Sequence, residues 1–111
     1  MKSGEIWLVN FSPSLGHEIS KVRPALVIGN DALGSLDLSL VIPLTDAQKS
    51  HRRWHVSITP SPTNKLRKAS IADCFQIKSI SHIRFQKKIG SLSQGDMDHV
   101  KVCLSEVLDL L

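Results

Sequence analysis

Cysteine is scarce in this 111-residue chain: Cys74 and Cys103 form no C-x-x-C pattern and have no paired histidine spacing. That excludes a disulfide framework and gives no foothold to a zinc site or a thiol redox motif. Both cysteines are expected to be buried small hydrophobes. Long hydrophobic runs are missing too. The longest, Ile6-Trp7-Leu8-Val9 and Ala25-Leu26-Val27-Ile28, fall far short of the ~20 residues needed to span a bilayer. Met1 to Glu5 leads straight into the first of these runs without an apolar leader or cleavage site, so a cytoplasmic protein away from membranes is expected. Aromatic residues make up only 5% of the chain, against 41% hydrophobic and 22% charged, a composition that describes one ordinary soluble domain. At this length folding buries roughly two-thirds of the unfolded surface, enough for a core without a metal or disulfide staple. Lys and Arg number 14 against 10 Asp and Glu, and the net charge of +4 is compatible with an anionic partner without identifying one.

What is present is a succession of short apolar runs, each closed by Gly, Pro, Asn, Asp or Ser, the rhythm of an all-β domain. Glu5 to Phe11 reads as a central strand, with Ile6 and Leu8 on one face and Trp7, Val9 and Phe11 on the other. Ser12 to Val22, with Pro13 and Gly16 and no periodicity, reads as a long connection of the kind that carries function. Pro24 opens a second strand through Asn30, a turn containing Gly34 follows, and Leu38 to Thr45 forms a third strand. In that third strand Pro43 predicts an edge or a bulge. Trp54 to Thr59 alternates as a half-buried strand, with Trp54 on its buried side. Ser70 to Ile80 and Phe85 to Leu92 supply further strands. Met97, Val100, Leu104, Val107, Leu108 and Leu111 recur at helical spacing, and Ser93 with Asp96 resembles a capping box. The chain reads as one domain over residues 1–111, mainly β with a C-terminal α-helix. Trp7 and the helix are expected to serve the core or a dimer contact.

Certain local sequences are more specific. Gly4-Glu5-Ile6-Trp7-Leu8-Val9, Gly16-His17-Glu18, Arg23-Pro24-Ala25-Leu26-Val27-Ile28, Pro43-Leu44-Thr45 and Gln76-Ile77-Lys78-Ser79-Ile80 followed by Arg84 occur in this order. In this order and spacing they resemble the MazF/PemK (Kid) toxins of type II toxin–antitoxin systems, over almost the whole length. The resemblance implies a small SH3-like twisted β-barrel of the CcdB/MazF/PemK type and a homodimer. It also implies an mRNA interferase, an endoribonuclease that cuts single-stranded RNA at a short sequence without metal or organic cofactor. The implied partner is a cognate antitoxin whose acidic, disordered tail covers the basic groove and folds on binding.

Metal-free RNA cleavage has its nucleophile in the substrate. The protein must deprotonate the ribose 2′-hydroxyl, stabilise the phosphorane and protonate the leaving 5′-oxygen, giving 2′,3′-cyclic phosphate and 5′-hydroxyl ends. Arg23 stands before Pro24, which favours extended backbone, and its guanidinium fork matches two phosphate oxygens. Thr45 ends the third strand with a hydroxyl that can donate to a phosphate, or cap a turn. The resemblance gives Arg23 and Thr45 catalytic roles. Imidazole as a group changes charge near neutrality, which makes His17 the candidate proton carrier, or else it is a solvated loop residue. Glu18 orients His17 or Arg23, or is simply solvated. Gln76 bonds RNA, holds the active-site loop or is a satisfied strand residue. Lys49, His51, Arg52 and Arg53 form the strongest basic run and lead into Trp54, a pattern that suits single-stranded RNA. The RNA-binding candidates are Glu18, Lys49, Arg52, Arg53, Gln76, Lys78 and Arg84, with Lys65, Arg67 and Lys68 as a smaller basic patch.

Two departures bear on mechanism. Phe75 stands where relatives are usually acidic, and Asp73 where PemK-like members carry an arginine, so the resemblance favours the Arg23 and Thr45 pairing of the MazF-like branch. The rival readings are a catalytically eroded RNA-binding module and a gyrase-poisoning, CcdB-like toxin of the same fold. The terminal Leu108-Asp109-Leu110-Leu111 lacks the Trp-Gly ending that the latter usually has.

Overall fold

The computed structural model describes residues 1–33, 37–47 and 51–110; Gly34, Lys49 and Leu111 lie outside them. Seven strands run in chain order β1 (Glu5–Asn10), β2 (Val22–Ile28), β3 (Leu38–Asp46), β4 (His55–Ile58), β5 (Ser70–Asp73), β6 (Lys78–Ser81) and β7 (Phe85–Ser91), followed by helix α1 (Gln94–Val107). All pairings are antiparallel, in the order β4-β5-β3-β2-β1-β7, with β6 also joined to β3.

Alternation in β1 sends Ile6 to one face and Val9 to the other, both fully buried, so this strand has a core on each side. On one side Ile6, Leu26, Ile28, Ile42 and Leu44 pack against Met97, Val100, Cys103 and Leu104 of α1. On the other, Val9, Phe11, Ala25, Val27, Val41 and Ile80 are covered in part by Trp7, Ile19 and Phe85. The helix starts where the Ser93 hydroxyl accepts from the Asp96 N–H at 3.1 Å. A 14-residue helix is marginal alone, and its buried stripe, at about 1.5–3 kcal/mol for a fully buried aliphatic side chain, holds it in place. No helix among the described residues is long and apolar enough to cross a membrane.

Three expectations are corrected. Pro43 occupies neither an edge nor a bulge: β3 pairs with β2 on one side and with β6 and then β5 on the other. β6 covers Leu38–Val41 and β5 covers Leu44–Asp46, so Pro43 falls in the gap between them, where a missing N–H costs no ladder bond. The apolar stretch from Ser70 is not one strand, because Cys74–Gln76 folds as a 3-10 turn and separates β5 from β6. Trp54 precedes β4 and is 37% exposed, whereas burial was expected of it.

The connection from Thr59 to Ala69 is built around buried Asn64. Its side-chain oxygen accepts from the N–H groups of Ser61 and Leu66, and its amide donates to the Thr59 carbonyl at 2.9 Å. This turn sits directly against Gly90 of β7, where a Cβ would lie 2.6 Å from the carbonyl oxygens of Thr63 and Asn64. Gly90→Ala is therefore expected to destabilise the fold by roughly 1–3 kcal/mol in urea unfolding. An unchanged midpoint would contradict the close approach.

Candidate active site

The site begins at a fork in the sheet. The last rung between β2 and β3 is Ala25 with Pro43. Beyond it β2 continues beside β1 through Pro24, Arg23 and Val22, while β3 turns to β5 through Leu44, Thr45 and Asp46. Pro24 and Pro43 each lack an N–H, and both lie where the β2–β3 ladder stops. Arg23 and Thr45 thus stand on the two prongs, each two residues past the last rung.

Between the prongs lies a cleft of about 670 Å³ lined by Arg23 and Thr45 together with Lys65, Arg67, Lys68, Lys87 and Lys88; Leu8, Pro24, Leu44, Leu66 and Ile89 give it apolar walls. The charges in it are unevenly balanced. Lys68 pairs with Asp46 at 3.0 Å and Lys88 with Glu5 at 2.9 Å. Burial opposes the Glu5 charge, but the Lys2 N–H, the Lys88 ammonium and the Trp7 indole outweigh it and hold its carboxyl down at about 2. Arg23, Lys65, Arg67 and Lys87 have no carboxylate partner among the described residues. Such a cleft attracts an extended polyanion. Lys87 and Lys88 were not singled out in the sequence. Nothing in two consecutive strand lysines tells which cleft they line, and it emerges only from the register, irregular here, that sets Lys87 beside Leu8 and Lys88 beside Trp7.

The β1–β2 loop, residues 11–21, adjoins this fork and is held by the residues expected to contact RNA. Gln76 donates from Nε2 to the His17 carbonyl at 2.9 Å and accepts the Ile19 N–H at 3.2 Å. Glu18 accepts the Leu15 N–H at 2.9 Å and faces Lys78 at 3.5 Å. The Leu15 N–H, and after it Lys78, keep its carboxyl below the usual range in spite of slight desolvation. Arg84 donates from one Nη to the carbonyls of Asn10 and Ser12. Arg23 itself gives its Nε–H to the Ser20 carbonyl at 3.0 Å, which leaves its two Nη groups as the donors for an anion. The His17 ring is exposed, lies outside the cleft lining and has no hydrogen bond among the described residues.

The basic run stands apart, before β4. The Arg52 N–H donates to His55 Nδ1 at 3.0 Å, and Arg53 forms an ion pair with Glu106 of α1. Lys49 falls outside the described residues. Asp73 faces His55, Oδ2 to Nε2 at 3.6 Å, and its other oxygen is buried without a partner among the described residues. Phe75 projects into solvent next to Trp54. Cys74 and Cys103 are free and buried; burial, with Cys103 and Asp73 nearby, pushes the Cys74 thiol up.

Residues 2–108 match the family described as PemK-like, MazF-like toxin of type II toxin-antitoxin system. The chain is 30% identical to endoribonuclease MazF9 of Mycobacterium tuberculosis over 99% of its own length and 98% of the relative's. Two solved structures from Deinococcus radiodurans share the fold. MazF superimposes with a TM-score of 0.84 at 22% identity, covering 98% of this chain and 96% of that one. A MazE–MazF structure superimposes with 0.77 at 21% identity, covering 100% and 97%. The chain belongs to the PemK/MazF toxin family, and its architecture is the twisted β-barrel with a C-terminal helix that the resemblance implied.

Removing the Gln76 side-chain amide should release the β1–β2 loop without unfolding the sheet. In Gln76→Ala, hydrogen exchange at the Ile19 amide is expected to accelerate by at least tenfold while the amides of β1 and β2 keep their protection. Unchanged exchange at Ile19 would mean that the loop is held by other contacts.

Proposed function

We propose that this chain is a toxin endoribonuclease that cleaves single-stranded RNA at a short sequence by attack of the ribose 2′-hydroxyl on the adjacent phosphate, without metal. The observation that carries the reading is the pairing of Arg23 and Thr45 across the fork, in a cleft whose unpaired cations suit a phosphodiester backbone. In the reaction the 2′-oxygen loses its proton and bonds to phosphorus. The bond to the 5′-oxygen then breaks and that oxygen takes up a proton, leaving a 2′,3′-cyclic phosphate and a 5′-hydroxyl. The Arg23 Nη groups stabilise the charge on the phosphorane oxygens. The Thr45 hydroxyl donates to one of them. His17, on the loop that runs into Arg23, exchanges the proton. Asp73 is engaged with His55, and Phe75 has no titratable group, so no carboxylate is assigned a step.

The same reading has the toxin act in the cytoplasm as a homodimer. Support for self-association comes from exposed Leu33, Leu38 and Leu40, which share a groove of about 510 Å³ with Met1 and Ile28. It is neutralised by an antitoxin. The MazE–MazF structure of D. radiodurans supports an antitoxin partner, and the mixture of unpaired cations and apolar walls in the cleft suits an acidic, disordered tail. A second reading, an RNA-binding module that no longer cuts, is favoured by Phe75 alone, which leaves the 3-10 turn without an acid.

Incubation of the purified protein with a long single-stranded RNA in EDTA separates the two. Cleavage at one short sequence with cyclic-phosphate and 5′-hydroxyl ends is expected, lowered roughly 10²–10³-fold in Arg23→Ala and also lowered in Thr45→Ala. Salt-dependent retention of intact RNA would contradict catalysis and favour the binding module.

A further inference from the structure

With only five aromatic residues in 111, two of them are left open to solvent side by side. Phe75 is 66% and Trp54 37% exposed, and their ring centroids are 5.5 Å apart at an interplanar angle of 59°. The rings are tilted instead of stacked, so they bound a slot of about 270 Å³. Cys103 and Val107 of α1 also line it, as do Arg53 and Glu106. Exposed ring surface of this extent marks a place that another molecule covers.

Three observations identify the occupant. His51, Arg52 and Arg53 immediately precede Trp54, and the Arg53 side chain is 85% exposed, so the approach to the slot is positively charged. The Arg53 guanidinium and the Glu106 carboxylate, ion-paired to each other, offer donors and acceptors to the edge of a planar heterocycle laid against the exposed face of the ring pair. Finally, Phe75 adjoins Gln76, whose side chain grips the His17 carbonyl and the Ile19 N–H on the loop that ends at Arg23. Phe75 thus stands one residue from the side chain that fixes the loop leading to Arg23. We infer that Trp54 and Phe75 form a base-stacking subsite that takes one nucleobase of the RNA strand and helps to select the sequence that is cut. The inference rests on the proposed ribonuclease function and adds a specificity-determining pair to it.

Stacking on a ring is worth about 1–3 kcal/mol per base, so removing one ring should lower kcat/KM roughly 5- to 150-fold. Trp54→Leu and Phe75→Leu keep apolar bulk while removing the π-face. Each is expected to raise KM more than it lowers kcat and to relax the preference at one position of the mapped cut sites, and Phe75→Trp should restore both. Unchanged KM and unchanged cut sites in the two leucine variants would overturn the subsite. Loss of antitoxin affinity with intact RNA kinetics would overturn it as well, showing the slot to be a peptide-docking surface. Binding is read without catalysis by titrating an RNA that is 2′-deoxy at the cut position, or a non-hydrolysable all-deoxy strand if the wild type does not cut. Quenching of tryptophan fluorescence is expected in wild type and Trp7→Phe and not in Trp54→Phe. Quenching by a protein that leaves RNA uncut would uphold the subsite and overturn the ribonuclease reading; equal quenching in Trp54→Phe would overturn the subsite alone.

Discussion

Strand β3 changes partner halfway along, and the candidate site exists because of that change. Over Leu40–Pro43 it is bonded to β2, and over Leu44–Asp46 it belongs to β5. A continuous β2–β3 ladder would have closed the space between Arg23 and Thr45. Beyond Pro43 the strand follows β5 while β2 stays beside β1, and the twist of the sheet carries the prongs apart. Opposite them, the Asn64 turn packs against Gly90 and holds Lys65, Arg67 and Lys68 over the cleft.

Charge is arranged on this scaffold with few neutralising partners. Glu5 and Asp46 each engage one lysine of the cleft, and the remaining cations meet no carboxylate among the described residues. Elsewhere in the site the polar residues serve structure. Gln76, Glu18, Lys78 and Arg84 all bond to the β1–β2 loop or to one another, so the loop carrying His17 is fixed by its backbone while the imidazole stays exposed. Under the proposed function, substrate contact falls chiefly to the cleft cations and the aromatic slot, while these four side chains also hold the loop.

Much of the fold was legible in the sequence. The alternation of Ile6, Trp7, Leu8 and Val9 announced a strand buried on both faces, and Met97, Val100 and Leu104 with Ser93 ahead of them announced a capped helix. Pro43 misled, because its tolerance depends on two non-adjacent strands leaving a gap beside it, which is a fact of tertiary pairing. The 3-10 turn at Cys74–Gln76 was hidden in apolar sequence that reads equally well as strand. Arg23 and Thr45 could be named from their motifs, but that they flank one cleft required the register. Lys87 and Lys88 carried no signal until β7 was seen beside β1. Trp54 followed the alternation of its strand and still emerged half exposed, because β4 begins one residue later.

The central claim is that the fork between β2 and β3 holds the scissile region of an RNA strand. Photo-crosslinking of a non-hydrolysable RNA carrying thio-substituted pyrimidines, with the attached peptides mapped by mass spectrometry, tests it most directly. The account predicts crosslinks within residues 22–24, 44–46, 65–68 and 87–88, weakened by raised salt and by Lys87→Glu. Crosslinks confined to the outer face of α1, indifferent to both, would contradict it.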